Sequence, residues 1–539
     1  MTDLNGPPAA QVRSLREFAP SFSALAAVLR SAHIAPVEYV AMRADRSSTG
    51  LSRRRFVAVA GAGLGALLVP GVRPASARVA DDADVRAFVS RPDLRPPTVD
   101  VRTALPTAAS GLVFLGPFSG PSQFGPLIVD ERGEPVWFHP LPASSGTVAA
   151  DFRMQTYRGK PVLTWWEGTV AANGYGQGEY VVADSSYDEI ARFGAANGYT
   201  SDLHEFTITS SDTALIIASN AIPIDLSATG GPTDGSLLDA IVQEVHIESG
   251  ALLFEWRCSD HIAVDESYFS PSDGVWDYLH LNSADEIDAE SLLLSSRHTC
   301  ALYKVDRASG DIVWRLGGKR SDFTMGDGTQ FEFQHDARSQ PDGTISIFDD
   351  GAYSPALPSE PLPSEPVSRA VVLRLDTTAM TAELVRAAAN PADAVAFALG
   401  SVQLLRDGGM FVGWGTVPEC SEFAADGTLR FDASLPGGGW SYRAYRFPWS
   451  GRPTTPPALT VWRNADGSAQ AYVSWNGATA VSHWQIAGGD RRTELSPLMT
   501  AGRTGFETSI RIKKAPAYLA ATALDTRGRS LGTSRVIRT

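Results

Sequence analysis

Lysine is scarce in this 539-residue chain: Lys160, Lys304, Lys319, Lys513 and Lys514 are all there is among 46 basic residues. Sixty acidic residues outweigh the bases, and the formal net charge is −14. A protein that coats nucleic acid needs clustered positive charge, so this balance argues against that class. Cysteine is scarcer still. Cys258, Cys300 and Cys420 can supply neither a disulfide framework nor two CxxC zinc pairs, and they read as buried free thiols. No run reaches the ~18 apolar residues of a membrane helix, so no membrane anchor is expected. Helical periodicity is also wanting after residue 100. What remains is globular composition, 43% hydrophobic and 20% charged, rich in Gly and Pro.

Near the N-terminus, Ser52-Arg53-Arg54-Arg55-Phe56-Val57 leads into an uncharged stretch over 58–70 and then Ala75-Ser76-Ala77, a small-x-small cleavage signal. This resembles a twin-arginine export signal, which carries proteins already folded in the cytoplasm. Residues 1–77 therefore read as an N-terminal extension and signal peptide, with the twin-arginine machinery as the export partner and a soluble, extracytoplasmic mature protein. Residues 78–110 follow as a linker.

Short alternating or β-branched runs, punctuated by Asp-Gly, Ser-Gly and Gly-Gly, replace helices in the rest of the chain. One unit is easily read: a strand near 279–283, then Ser291 to Ser296, Ala301 to Val305, and Asp311-Ile312-Val313-Trp314 after a Ser-Gly turn. Four strands joined by tight turns make one propeller blade. The same grammar recurs at 127–137 and 245–256, with inner hairpins near Phe152, Leu203, Leu279, Gln334 and Val402. The expected fold is all-β: a six-bladed β-propeller over 111–450, carrying loop insertions at 222–237 and 355–366. After a Pro-rich joint at 452–457, the rhythm of residues 457–539 predicts an Ig- or fibronectin-like β-sandwich.

Three histidines hold the same place in successive units. His204, His280 and His335 each open an innermost strand, and Gln403 takes that place later. Equivalent positions lie around one rim of the central channel, so three imidazoles should converge. In an antiparallel hairpin the indices of opposed residues sum to a constant. A turn at Asp288-Ala289 gives 577 and sets His280 opposite Arg297. Asn282 shares the face of His280 by the period-two alternation of strands. A metal site is one reading of clustered imidazoles, but a cation repels a guanidinium, and Asp336 and Glu205 are the obvious carboxylates. The set suits an oxyanion better: arginine presents a planar fork, asparagine a neutral donor, and neutral imidazoles can act as nucleophile and base.

Four segments together resemble the arylsulfotransferases: "Trp-Asp-Tyr-Leu-His-Leu-Asn-Ser" (276–283), "Leu-Ser-Ser-Arg-His" (294–298), "Gly-Asp-Ile-Val-Trp-Arg-Leu-Gly-Gly" (310–318) and "Phe-Gln-His-Asp-Ala-Arg" (333–338). Looser likeness runs through 402–415 and 441–447. The resemblance implies a propeller that moves a sulfuryl group from an aryl sulfate to a phenol through a sulfohistidine, with no nucleotide donor and no cofactor or metal. Carried over by motif, His335 would be the nucleophile, His280, Asn282 and Arg297 would hold the sulfuryl oxygens, and His204 would assist. Trp276, Tyr278 and Trp414 read first as core and second as ring-facing groups. Two alternatives stand beside this: a non-catalytic propeller that binds a sulfated or glycosylated ligand, and a metal-dependent hydrolase or oxidoreductase. His298 reads as packing on the face opposite Arg297, His483 as packing beside Trp484, and His139 as a loop residue.

Overall fold

The β-branched and aromatic runs bounded by Gly, Asp and Asn each form a strand in the computed structural model, which describes residues 82–142, 145–171, 174–271, 274–351 and 368–539. The paired-arginine motif and the 355–366 insertion lie outside the described residues. Among those described, the regular structure is strand with short 3₁₀ turns, so the all-β expectation holds.

Among the described residues six sheets follow one another, each built on four antiparallel strands, and three of them carry a fifth strand at the side. The second comprises Val148–Tyr157, Lys160–Val170, Gly176–Ala183 and Glu189–Phe193, and the third Thr200–Ile208, Ala214–Ile224, Gly235–Val245 and Leu252–Arg257. The fourth contains Leu281–Asp288, Ser291–Ser296, Ala301–Asp306 and Ile312–Gly317. The fifth begins with His335–Ser339 and Thr344–Asp349, and the sixth with Ser401–Leu404 and Met410–Gly413. In the first sheet the order is Ser441–Phe447, Leu112–Pro117, Leu127–Val129, Pro135–Phe138, so the innermost strand comes from the far end of the series. Asp100–Ala104, inside the stretch read as a linker, adds a fifth strand to the outer edge of the sixth sheet.

Each sheet is apolar on both faces, and alternation sends successive residues to different neighbours. In Ser291–Ser296, Leu292 and Leu294 enter a cluster shared with the third sheet, whereas Leu293 enters one shared with the fifth. Further clusters join the first sheet to the second, the second to the third, the fifth to the sixth, and the sixth back to the first. Burying one such leucine contributes about 2 kcal/mol. Cys258, Cys300 and Cys420 are buried free thiols, as expected. Trp276, Tyr278 and Trp414 are buried in these clusters.

Residues 457–539 form two more sheets, Ala458–Arg463/Ala469–Ser474/Glu507–Ile512 and a larger one built on His483–Arg491 and Tyr518–Leu524. Between them lies a cluster that includes Trp475, Trp484, Ile486 and Leu519. His483 departs from the sequence reading: it is exposed, with Ser482 Oγ 2.9 Å from its Nδ1, while the neighbouring Trp484 faces the core.

Candidate functional site

The innermost strands break register where they carry polar residues. Residues 151–152 bulge opposite Trp165, residues 202–205 opposite Ile217, Asn282 between the pairs Leu281–Ser296 and Ser283–Ser295, and residues 336–337 opposite Ile347. Asp151, His280 and Asp336 there adopt φ values of +53°, +50° and +52°. Extra residues in a strand swing side chains out of the two-face alternation. Here they let polar groups such as Asp151, Glu205 and Asp336 meet one buried arginine instead of entering the apolar layers.

The bulges bring the predicted histidines together. The His204 and His280 rings lie 4.8 Å apart, edge to face, and Tyr175 packs edge-on against both. At Gly174, whose φ is +87°, a Cβ would stand 3.2 Å from His280 Cε1, so close approach of the ring favours glycine there. The strand running to Asp288 puts the turn one residue later than expected, at 289–290. Two irregularities then restore the predicted pairing: Leu281 faces Ser296, and Arg297 N–H donates to His280 O at 3.0 Å. Arg297 Nη2 donates to Phe397 O at 2.8 Å, its guanidinium lies 4.9 Å from the Phe333 ring, and its Nε has no hydrogen-bond partner among the described residues. Asn282 is wholly buried; Nδ2 donates to Gln334 O at 2.7 Å, linking the fourth sheet to the fifth.

Three carboxylates escaped the sequence reading, which looked to Asp336 and Glu205. Asp202 Oδ2 accepts from His204 Nδ1 at 2.5 Å, Asp277 Oδ2 from His280 Nδ1 at 2.6 Å, and Asp350 Oδ2 from His335 Nδ1 at 2.6 Å. A carboxylate accepts only, so each Nδ1 carries the proton and each Nε2 a lone pair. The signal was present in part: Asp202 lies two residues before His204 and Asp277 three before His280. Asp350 directly follows the strand paired with His335, Thr344–Asp349, and needs the register of that hairpin.

Asp336 and Glu205 instead serve Arg443, a wholly buried residue of Ser441–Phe447. Arg443 pairs with Asp151 at 2.8 Å and with Glu205 and Asp336 at 3.3 Å, and donates to the carbonyls of His204 and Asn282 at 2.9 and 3.0 Å. Arg338 and Arg153 complete the network through Glu205 at 2.6 and 2.7 Å. Tyr442 Oη donates to the same two carbonyls.

His298 corrects a second expectation. The chain leaves its strand at Ser296 and folds back, with His298 N–H donating to Leu279 O, so strand alternation no longer applies. Its ring stacks on His280 at 4.9 Å, and Nδ1 donates to Asp277 O at 2.8 Å. Asp277, His280 and His298 thus form a group whose ligand atoms lie within 4.8 Å of one another, and these are the residues that could hold a metal ion.

Electrostatics favour neutral imidazoles. Burial, Arg297, His204, His280 and Arg443 hold His335 well below the usual histidine range. Burial also lowers His280 and takes His298 down to about 3. Burial raises Asp277, but His280 and His298 outweigh it and bring it to about 2. Burial likewise lowers Arg297 from its ordinary value. The arrangement offers a neutral imidazole at His335 within the field of a guanidinium that has an unfilled donor.

A family model described as Arylsulfotransferase (ASST) matches residues 153–435. No curated protein matches the chain. Among solved structures, a Bacteroides caccae protein of unknown function shares 12% identity over 62% of this chain and 98% of its own, with a TM-score of 0.38. A Staphylococcus aureus virginiamycin B lyase bound to quinupristin shares 8% identity over 70% and 97%, with a TM-score of 0.32. At these scores the likeness carries no weight for the fold, which rests on the sheet pairing above.

Proposed function

This chain belongs to the arylsulfotransferase family, and from that membership we propose that it transfers a sulfuryl group from an aryl sulfate to a phenolic acceptor by a ping-pong route through a sulfohistidine. On this reading the six sheets are the blades of one β-propeller over 111–450, and the last two sheets are an Ig- or fibronectin-like sandwich over 457–539. The observation that carries the mechanism is the Asp350–His335 pair, in which a 2.6 Å bond from Nδ1 leaves the Nε2 lone pair to act.

Neutral His335 Nε2 attacks sulfur, an N–S bond forms, and the S–O bond to the ring breaks to release a phenolate. A phenol has a pKa of about 10, so its oxygen leaves far more readily than that of an alkanol. Arg297, whose Nε has no partner among the described residues, holds the sulfuryl oxygens with Asn282 as charge shifts to the leaving group, whereas neutral His280, with only a lone pair at Nε2, cannot donate to them. Asp350 stabilises the positive charge that grows on the imidazole. A second phenol, deprotonated by His204 or His280, then takes the sulfuryl group and restores His335. No nucleotide, metal or other cofactor enters this scheme.

The test is a two-substrate assay with a chromogenic aryl sulfate. One phenol per enzyme should appear as a burst, with turnover only after a second phenol is added, and a peptide containing His335 should gain the sulfuryl mass. His335→Ala and His335→Asn should lose both the burst and the label. Full activity in the two variants overturns His335 as nucleophile, and a wild type without burst favours a binding propeller. The Asp277–His280–His298 group favours one rival, a metal-dependent hydrolase. Activity abolished by a chelator and restored by a divalent ion would decide for that rival. Residues 1–77 are inferred to direct export by the twin-arginine route. Replacing Arg53 and Arg54 by Lys should then retain the protein in the cytoplasm. Among the described residues no helix is long and apolar enough to cross a membrane.

A further inference from the structure

Between the fifth and sixth sheets the chain crosses the site through residues 396–400. Phe397 O accepts the hydrogen bond of Arg297 Nη2 at 2.8 Å, and two residues later Leu399 N–H donates to His335 Nε2 at 3.3 Å. One short length of backbone therefore engages two groups at once: the guanidinium edge that would grip a sulfuryl oxygen and the lone pair that would attack sulfur. The carbonyl oxygen stands where an oxygen acceptor of the substrate would stand.

The segment is held in this place from outside the site. Phe397 N–H donates to Thr416 Oγ1 at 3.0 Å, Thr416 N–H to Ala398 O at 3.2 Å, and Gly400 N–H to Tyr442 O at 3.0 Å. Gly415 lies so close beneath that a Cβ there would sit 2.5 Å from Ala398 O and 2.7 Å from the Leu399 carbonyl carbon. Leu399 has a φ of +71°, a conformation that disfavours leucine and persists only where neighbours impose it. The outer side is open: Phe397 is 39% exposed and meets Trp440 edge to face at 5.7 Å.

An electrophile reaches an imidazole nitrogen along its lone pair, in the plane of the ring. Leu399 N–H occupies that line, so amide and sulfur cannot both be there. We propose that residues 397–399 are a positioning strap that imitates the ligand: its carbonyl and amide fix Arg297 and His335, and it yields both to the entering sulfuryl group. This rests on His335 as the nucleophile of the reaction proposed above. The Leu399 amide also fixes the His335 tautomer, because a nitrogen that accepts a hydrogen bond cannot carry the proton.

The test uses the full chain and does not need sulfotransfer. Diethyl pyrocarbonate acylates a neutral histidine nitrogen, and peptide mass spectrometry reads its rate at His335 from pH 5 to 8, with exposed His483 as the internal control. Two variants weaken the strap: Thr416→Val removes an anchor, and replacement of Leu399 by its α-hydroxy analogue turns only that amide into an ester. Loss of one hydrogen bond should speed acylation of His335 by about 5- to 10-fold in the ester, and by less in Thr416→Val. His483 should be unchanged. Equal or slower acylation overturns the strap. A wild type with no aryl-sulfate burst would strike the proposed reaction and leave this measurement readable.

Discussion

Asp202, Asp277 and Asp350 each accept a hydrogen bond from the Nδ1–H of one histidine, so three imidazoles keep a fixed tautomer without depending on the solvent. A second-sphere carboxylate of this kind orients the ring and makes the other nitrogen more basic. Burial works the opposite way and prevails at His335, His280 and His298, all lowered from the ordinary histidine value near 6.5. The unfolded chain therefore binds more protons below about pH 6.5 than the folded one. Stability from these groups is complete above that pH and falls as pH drops toward about 3, where His298 titrates in the fold. Glu332, raised by burial to about 7, and the buried carboxyls of Asp151, Asp285, Asp349 and Asp350, which burial also raises, act in the other direction as pH falls. The contribution of one histidine is read as a difference: the stability advantage of wild type over His298→Gln in urea unfolding should shrink from pH 6.5 to 5, by about 1.4 kcal/mol per pH unit for the single proton involved. A constant difference over that range would contradict a neutral His298.

The strand Ser441–Phe447 shows how much one element governs. Its Arg443 neutralises Asp151, Glu205 and Asp336, which bulges have turned into the middle of the molecule, and ties down the carbonyls of His204 and Asn282. Arg443→Met leaves those carboxylates buried and short of a partner, which should cost about 3–5 kcal/mol in urea unfolding. Arg443→Lys should recover only part, since a single ammonium cannot reach both carbonyls and three carboxylates. Stability within 1 kcal/mol of wild type in Arg443→Met would refute this role. The same element marks the limit of sequence reading. Strand periodicity and turn residues made the sheets legible, and the hairpin sum of 577 placed Arg297 beside His280. The bulges were not legible, because nothing local at residues 151–152 or 336–337 announces an extra residue. Without them Asp350 could not be placed beside His335, nor could His298 be taken out of strand alternation. Arg443 lay hidden for another reason: its partners are more than a hundred residues away, and no spacing rule connects them.

At the scale of the molecule, the last two sheets are attached to the first part of the chain by a mostly polar seam. Asn476 pairs through Oδ1 and Nδ2 with the N–H and carbonyl of Phe138, both at 2.9 Å, and Tyr187 Oη donates to Gly477 O at 2.7 Å. Glu507 accepts from Ser90, and Phe506 packs on Phe88 at 4.3 Å. These contacts touch the outer strands and leave the histidines alone. Asn476→Ala should therefore lower stability by about 2 kcal/mol, read as a shifted melting temperature, and leave the acylation rate of His335 unchanged. A changed rate would mean that the seam reaches the site. The pairing of Leu112–Pro117 with Ser441–Phe447 has a consequence in time as well as in space. A ribosome delivers residue 112 more than three hundred residues before residue 441, so the nascent chain carries an unfinished first sheet throughout. Asp151, Glu205 and Asp336, already served by Arg153 and Arg338, meanwhile wait for the third guanidinium, the one that joins all three. The histidines cannot be set until that strand emerges, and a chain halted before residue 441 is held back from chemistry by its own topology.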